Sequence, residues 1–145
     1  MRRTVVTMLA AGLLVGSLGA PATAKTVTKS WSGLVPTPLP LLAENGGCVG
    51  EGSTEDVHKD TYTFKTPKHR KTGTLAVKIS GFSGDLDLHV YKGTSVIGSS
   101  TSDNLSQDYE AVTVGRLKGG TTINIVTCNW SGSPEYKGSL SYKHR

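Results

Sequence analysis

The chain is predicted to be an all-β protein, an antiparallel sandwich of about six to eight short strands. Residues 73–91 contain two runs in which apolar and polar residues alternate, and a Gly-rich turn at 81–84 separates them. Further short runs follow at regular spacing, with Gly, Ser, Asn and Pro between them. No convincing helical period follows the first 24 residues.

Residues 1–24 have the form of a cleaved signal peptide. Arg2 and Arg3 are followed by an apolar stretch at 8–18 and by the small residues Ala-Thr-Ala at 22–24. The apolar stretch is shorter than the roughly 20 residues that a membrane-spanning helix needs. We therefore expect cleavage after Ala24, a secreted protein and no membrane span.

Residues 25–43 are predicted to be an extended, Pro-rich lead-in, and residues 44–145 the sandwich domain. Pro36, Pro38 and Pro40 resist both helix interiors and central strands. We expect Trp31 to pack back onto the sandwich, the alternative being an exposed ligand platform. The predicted strands lie at 61–65, 75–79, 86–90, 95–97, 109–114, 121–128 and 136–142.

The mature chain is mildly basic. Two of the 16 Lys and Arg lie in the signal segment, which leaves 14 against 11 acidic residues and a formal net charge of +3. The densest basic run is 65–71, which reads either as a solvated loop or as an attraction to an anionic wall polymer or membrane surface. Because stacking aromatics and a recognition helix are missing from the pattern, we expect no nucleic-acid partner.

Cys48 and Cys128 are the two cysteines of the chain. In an exported protein an isolated pair predicts a disulfide, and no CxxC motif favours redox chemistry. The bond would close a loop of about 80 residues, which the chain-entropy model values at roughly 4 kcal/mol. A pair of free thiols is the weaker alternative.

Residues 44–60 are rich in Gly and in oxygen ligands, including Glu44, Asn45, Asp56 and Asp60. Such a loop can fold around calcium, which takes 6 to 8 oxygen ligands, although the spacing does not match the twelve-residue helix-flanked calcium loop. The alternative is a solvated turn held by Cys48.

The order of the strand motifs resembles the bacterial pre-peptidase C-terminal domain. The resemblance covers about residues 44–143, and its most specific part is GDLDLHVY at 84–91. The other matching motifs are DTYTF at 60–64, GTLAV at 73–77, Tyr-Glu at 109–110 and YKGSLSY at 136–142.

This resemblance implies a jelly-roll-like sandwich without catalytic activity, of the kind that accompanies secreted peptidases. Related collagen-binding domains of bacterial collagenases bind calcium, which implies ligands at Asp85 and Asp87, with Glu44, Asn45, Asp56 and Asp60 as further candidates. Two features depart from the family: no peptidase domain is present, and a disulfide between Cys48 and Cys128 would stabilise the lead-in without calcium.

The sequence does not predict an enzyme. Asp85, Asp87 and His89 share a strand face, but residues i and i+4 of a strand stand about 13 Å apart. No GxSxG elbow, HExxH helix or phosphate-binding glycine loop is present.

We therefore expect a monomeric, non-catalytic binding or accessory module for an extracellular protein or polysaccharide. Its candidate ligand-binding residues are aromatics that would form a strip on one sheet: Tyr91, Trp130, Tyr136 and Tyr142. The alternative is a secreted inhibitor or chaperone of a separately encoded protease.

Overall fold

The computed structural model describes residues 23–36, 59–102, 108–133 and 135–145. Within these ranges the chain forms eight strands and no helix, so no described helix could cross a membrane. The strands are β1 (Lys25–Leu34), β2 (Lys59–Lys65), β3 (Thr72–Ser80), β4 (Gly84–Lys92), β5 (Ser95–Ser100), β6 (Tyr109–Lys118), β7 (Thr122–Gly132) and β8 (Glu135–His144).

The strands form two four-stranded sheets. Sheet A has the order β1-β8-β3-β6, and sheet B has the order β2-β7-β4-β5. Every neighbouring pair is antiparallel. This is the strand order of a jelly roll, in which two sheets face each other around one core. The predicted fold class is confirmed.

The core lies between the sheets and follows the alternation seen in the sequence. One face of β3 and one face of β4 supply its centre, where every apolar side chain is at most 2% exposed. These residues are Leu75, Val77, Ile79, Leu86, Leu88 and Val90. Because successive side chains of a strand point to opposite faces, the alternation predicts this core directly.

The prediction of an extended lead-in from residue 25 is corrected by strand β1. All ten residues of β1 pair with β8 at the edge of sheet A. The chain stays attached just beyond the strand, where Val35 is fully buried and its carbonyl accepts a hydrogen bond from Asn129 Nδ2 at 3.1 Å. The strand was missed because only Val27 and Trp31 pack against the core, four residues apart, among Lys, Ser and Thr.

An aromatic clamp joins the two sheets at β1, β2 and β8. The ring of Trp31 stacks on Tyr62 with centroids 4.1 Å apart, which confirms the packing role expected for Trp31. Trp31 Nε1 donates to the Tyr136 hydroxyl at 3.4 Å, and this hydroxyl donates to Asp60 Oδ2 at 2.8 Å. Burial raises the pKa of Tyr136 to about 12.

The raised pKa of Tyr136 predicts that the protein becomes less stable at alkaline pH. The unfolded chain releases the Tyr136 proton near pH 10, whereas the folded chain holds it until about pH 12. Between these values the unfolded state binds fewer protons, so the free energy of unfolding falls as pH rises. We expect a steeper fall for the wild type than for Tyr136→Phe, measured by urea unfolding across this range. Below pH 10 the difference in the free energy of unfolding between the two proteins should not change with pH. If the free energy of unfolding fell equally steeply with pH in both proteins above pH 10, the prediction would be contradicted.

Candidate functional site

The sandwich has two ends, which the strand directions define. At one end β1 and β3 begin and β8 ends, since Lys25 and Gly73 both pair with His144. The loop from β2 to β3 and the turn from β6 to β7 lie at the same end. We call it the basic end, and the opposite one the far end.

Ten of the 14 Lys and Arg beyond the signal segment lie at the basic end, and all ten are exposed. The six described carboxylates lie instead in the half of the molecule nearer the far end. The ten cations are Lys25, Lys65, Lys68, Arg70, Lys71, Lys92, Arg116, Lys118, Lys143 and Arg145. The carboxylates are Asp60, Asp85, Asp87, Asp108, Glu110 and Glu135.

Strand direction causes this separation of charge. Each even-numbered strand runs from the far end to the basic end, and each carries an acid in its first residues and a lysine in its last. In β2, for example, Asp60 is followed by Lys65, and in β8 Glu135 is followed by Lys143. The basic end therefore collects cations from residues that are distant in sequence.

None of these ten cations forms an ion pair in the described part of the chain. The ion pair found there joins His89 Nε2 to Asp87 Oδ2 at 3.9 Å, away from the basic end. A surface of like charges without counter-charges produces a positive potential that attracts anions.

Two connections of the basic end are locked together, residues 66–71 and residues 118–121, which we call the double loop. Thr66 is 2% exposed, and its hydroxyl contacts the carbonyls of Lys118 and Thr121 at 3.0 and 3.2 Å. The backbone N–H groups of Thr66 and Gly120 donate across the loops, to Thr121 O at 2.9 Å and to Thr66 O at 3.2 Å. A Cβ at Gly119 would lie 2.3 Å from the backbone nitrogen of His69, so this close approach of the two loops requires glycine.

Tyr142 ties the double loop to the core beneath it. Its hydroxyl donates to the Leu117 carbonyl at 3.1 Å and lies 2.8 Å from His69 Nε2. The phenol has a single O–H group, and this group donates to the Leu117 carbonyl. In the contact between Tyr142 and His69, the donor is therefore His69 Nε2. The His69 ring also stacks on His144 at 4.2 Å between centroids. The cations of the double loop are therefore carried by an ordered support.

The structure separates two of the predicted metal ligands, Asp60 and Asp87. Asp87 lies on the outer face of sheet B and accepts a hydrogen bond from Trp130 Nε1 at 2.6 Å, whereas Asp60 faces the interior and is bound by Tyr136. In the described ranges no group of three or more His, Cys, Asp and Glu could hold a metal ion. Glu44, Asn45 and Asp56 lie outside the described residues, so calcium binding there and at Asp85 and Asp87 stays a prediction.

Two polar residues on the outer face of β4 are buried. Asp87 is 8% exposed and His89 is 4% exposed, although both lie on the face of sheet B that points away from the core. Among the described residues, neither ring nitrogen of His89 has a hydrogen-bond partner. The alternation predicts which face of the strand these residues occupy but does not predict their burial.

The four candidate aromatics do not form one strip. Tyr136 and Tyr142 are 3% and 0% exposed and belong to the core, so they are unavailable to a ligand on the surface. Tyr91 and Trp130 lie on the outer part of sheet B, with Trp130 38% exposed. A ligand-binding role for Tyr91 and Trp130 stays a prediction.

Cys128 lies in β7, where it pairs with Lys59 and Asp87, and it is 1% exposed. It is not a free thiol. Cys48 lies outside the described residues, so the pairing of Cys48 with Cys128 stays a prediction.

No family model matches the chain, and no curated protein matches it. Among solved structures it is similar to PliG of Aeromonas hydrophila, a periplasmic inhibitor of g-type lysozyme. The two chains are 14% identical, with a TM-score of 0.39, over 83% of this chain and 86% of PliG. A similarity at this level carries no argument about function.

Proposed function

We propose that the chain is an exported, non-catalytic binding protein whose basic end holds an anionic polysaccharide outside the cell. The observation that supports this proposal is the set of ten exposed, unpaired cations at one end of the sandwich. A polymer with repeated negative charges contacts several of them at once and releases its own counterions on binding.

The uneven distribution of charge also orients the protein relative to a polyanion. The mature chain has a formal net charge of only +3, and the six described carboxylates all lie in the half of the molecule nearer the far end. A polyanion is therefore attracted to one end and repelled from the other, which orients the protein before contact. The two aromatic side chains that are most exposed in the described ranges, Tyr109 and Trp130, lie away from the basic end, which favours recognition by charge over stacking on neutral sugars.

Charge reversal on the double loop tests the proposal. We expect Arg70→Glu/Lys118→Glu to bind oligogalacturonate about tenfold or more weakly than the wild type, since each cation near an anionic surface contributes about 1 kcal/mol. Titration calorimetry at increasing salt measures the loss, and the wild-type affinity should fall as salt rises.

The matched control is Lys29→Glu/Lys59→Glu, which changes the net charge equally but away from the basic end. Thermal unfolding of both variants shows whether they fold. An equal loss of binding in the two variants would mean that total charge, and not the basic end, determines affinity.

A secreted inhibitor or chaperone of a separately encoded enzyme is the second candidate. The hydrogen bonds from Thr66 and Thr121 hold the double loop in one conformation, and a preorganised loop loses little entropy on binding. Its cations would suit an active-site cleft lined by carboxylates, as in many glycosidases. A stable one-to-one complex with a secreted hydrolase, lost in Arg70→Glu/Lys118→Glu, would favour this candidate over polysaccharide binding.

A further inference from the structure

The outer face of sheet A carries small hydroxyl side chains and lysines. Along β8 the outer face carries Glu135 and then Lys137, Ser139, Ser141 and Lys143, and we call the last four residues the β8 track. Their outward neighbours on β1 and β3 are Thr, Ser, Ala and Lys78, without a carboxylate. At about 3.4 Å per residue, the β8 track is roughly 20 Å long.

Three shallow depressions follow the β8 track from the basic end. The first has a volume of about 540 Å³ and is bordered by Lys71, Lys143 and Arg145. The second, of about 450 Å³, crosses the middle of the sheet at Ser139 and Ser141. The third, of about 440 Å³, shares Ser139 with the second and is bordered by Lys137. The track thus starts among the cations of the basic end.

The chemistry of this face selects among possible partners. Serine and threonine hydroxyls donate and accept hydrogen bonds, as sugar hydroxyls do, and the lysines attract anions. The ring of Tyr109 lies on the outer face of sheet A, and Lys78 Nζ lies over this ring at 4.3 Å from its centroid. A protein partner would find few of the aromatic and arginine anchors that dominate protein interfaces.

We propose that an anionic polysaccharide bound at the basic end continues along the β8 track as far as Lys137. The proposal rests on the proposed function and adds the path of the ligand and a dependence of the affinity on the length of the ligand. A disaccharide occupies the basic end alone, whereas a longer oligomer also reaches Lys78 and Lys137.

The test compares Lys137→Gln with Lys59→Gln. Both lysines are exposed and undergo the same charge change, but Lys59 lies in β2 of sheet B, away from the β8 track. We expect Lys137→Gln to bind a long oligogalacturonate about fivefold more weakly and a digalacturonate unchanged. Lys59→Gln should match the wild type with both ligands.

Equal affinities of Lys137→Gln and Lys59→Gln for the long oligomer would overturn the proposed path along the β8 track. If Arg70→Glu/Lys118→Glu still loses binding in that case, the proposed function stands without the track. A sulfated glycan, used as a parallel probe, identifies the preferred anion, and dependence on Lys137 with either polysaccharide supports the proposal. Lys137-dependent binding to phosphatidylglycerol vesicles, with no binding to any polymer, would overturn it in favour of a membrane surface.

Discussion

Replacing Gly138 by alanine is expected to lower the free energy of unfolding by about 3 kcal/mol, the upper part of the range for overpacked cores. A Cβ at this position would lie 2.0 Å from Trp31 Cε2 and 2.3 Å from Trp31 Cζ2. The indole has little freedom to move, because it stacks on Tyr62 and donates to Tyr136. The added methyl group therefore forces either the clamp or the pairing of β1 with β8 to open.

Gly115→Ala is the matched control, because a Cβ there would have no atom within 4 Å and its φ is not positive. Urea unfolding gives the change in stability, and amide hydrogen exchange locates it. We expect faster exchange in β1 for Gly138→Ala alone. Equal stability of the two variants would show that Trp31 is not held as tightly as its contacts indicate.

The second large effect is expected from removing the disulfide. If Cys48 and Cys128 are paired, Cys48→Ala/Cys128→Ala should lose about 4 kcal/mol, since the unfolded chain is no longer closed into a loop of about 80 residues. Cys128 lies in β7 between β2 and β4, so the bond would attach the distant residue 48 to the middle of sheet B.

Dithiothreitol supplies the control for this variant. The reductant should lower the stability of the wild type by a similar amount and leave the double-alanine protein unchanged. Thiol labelling of the unfolded, unreduced wild type that finds two reactive cysteines would contradict the pairing.

The core was predictable from the sequence because it depends on local alternation. Leu75, Val77 and Ile79 in β3, like Leu86 and Leu88 in β4, lie two residues apart and face inward as expected. Strand β1 was not predictable in the same way. At an edge, a strand buries few side chains, and Val27 and Trp31 leave six residues of Lys, Ser and Thr that resemble a solvated tail.

The aromatic and acidic residues show a second limit of the pattern. Alternation predicts that Tyr136 and Tyr142 lie with Leu140 on the apolar, inner face of β8, but it does not reveal which partners they contact there. Asp60 lies on the inner face of β2, where Tyr136 donates a hydrogen bond to it, and this pairing joins residues 76 positions apart. Such partners depend on the order of the strands in space, which composition and spacing do not reveal.

The basic end was only partly visible for the same reason. The run at 65–71 is dense in sequence, whereas Lys118, Lys143 and Lys25 reach the same end through three different strands. The recurring change from acid to lysine along each even-numbered strand was present in the sequence. It becomes interpretable once the strand directions are known.

The pairing of Lys25 with His144 has a practical consequence for reagents. Any affinity tag, fluorophore or fusion partner joined before β1 or after β8 emerges beside the double loop, where it shields the cations sterically. Amine coupling to a sensor chip would consume lysines of the same surface. The turn at Gly81, between β3 and β4, is a better attachment point. It lies at the far end, so a protein attached there has its basic end facing the solution.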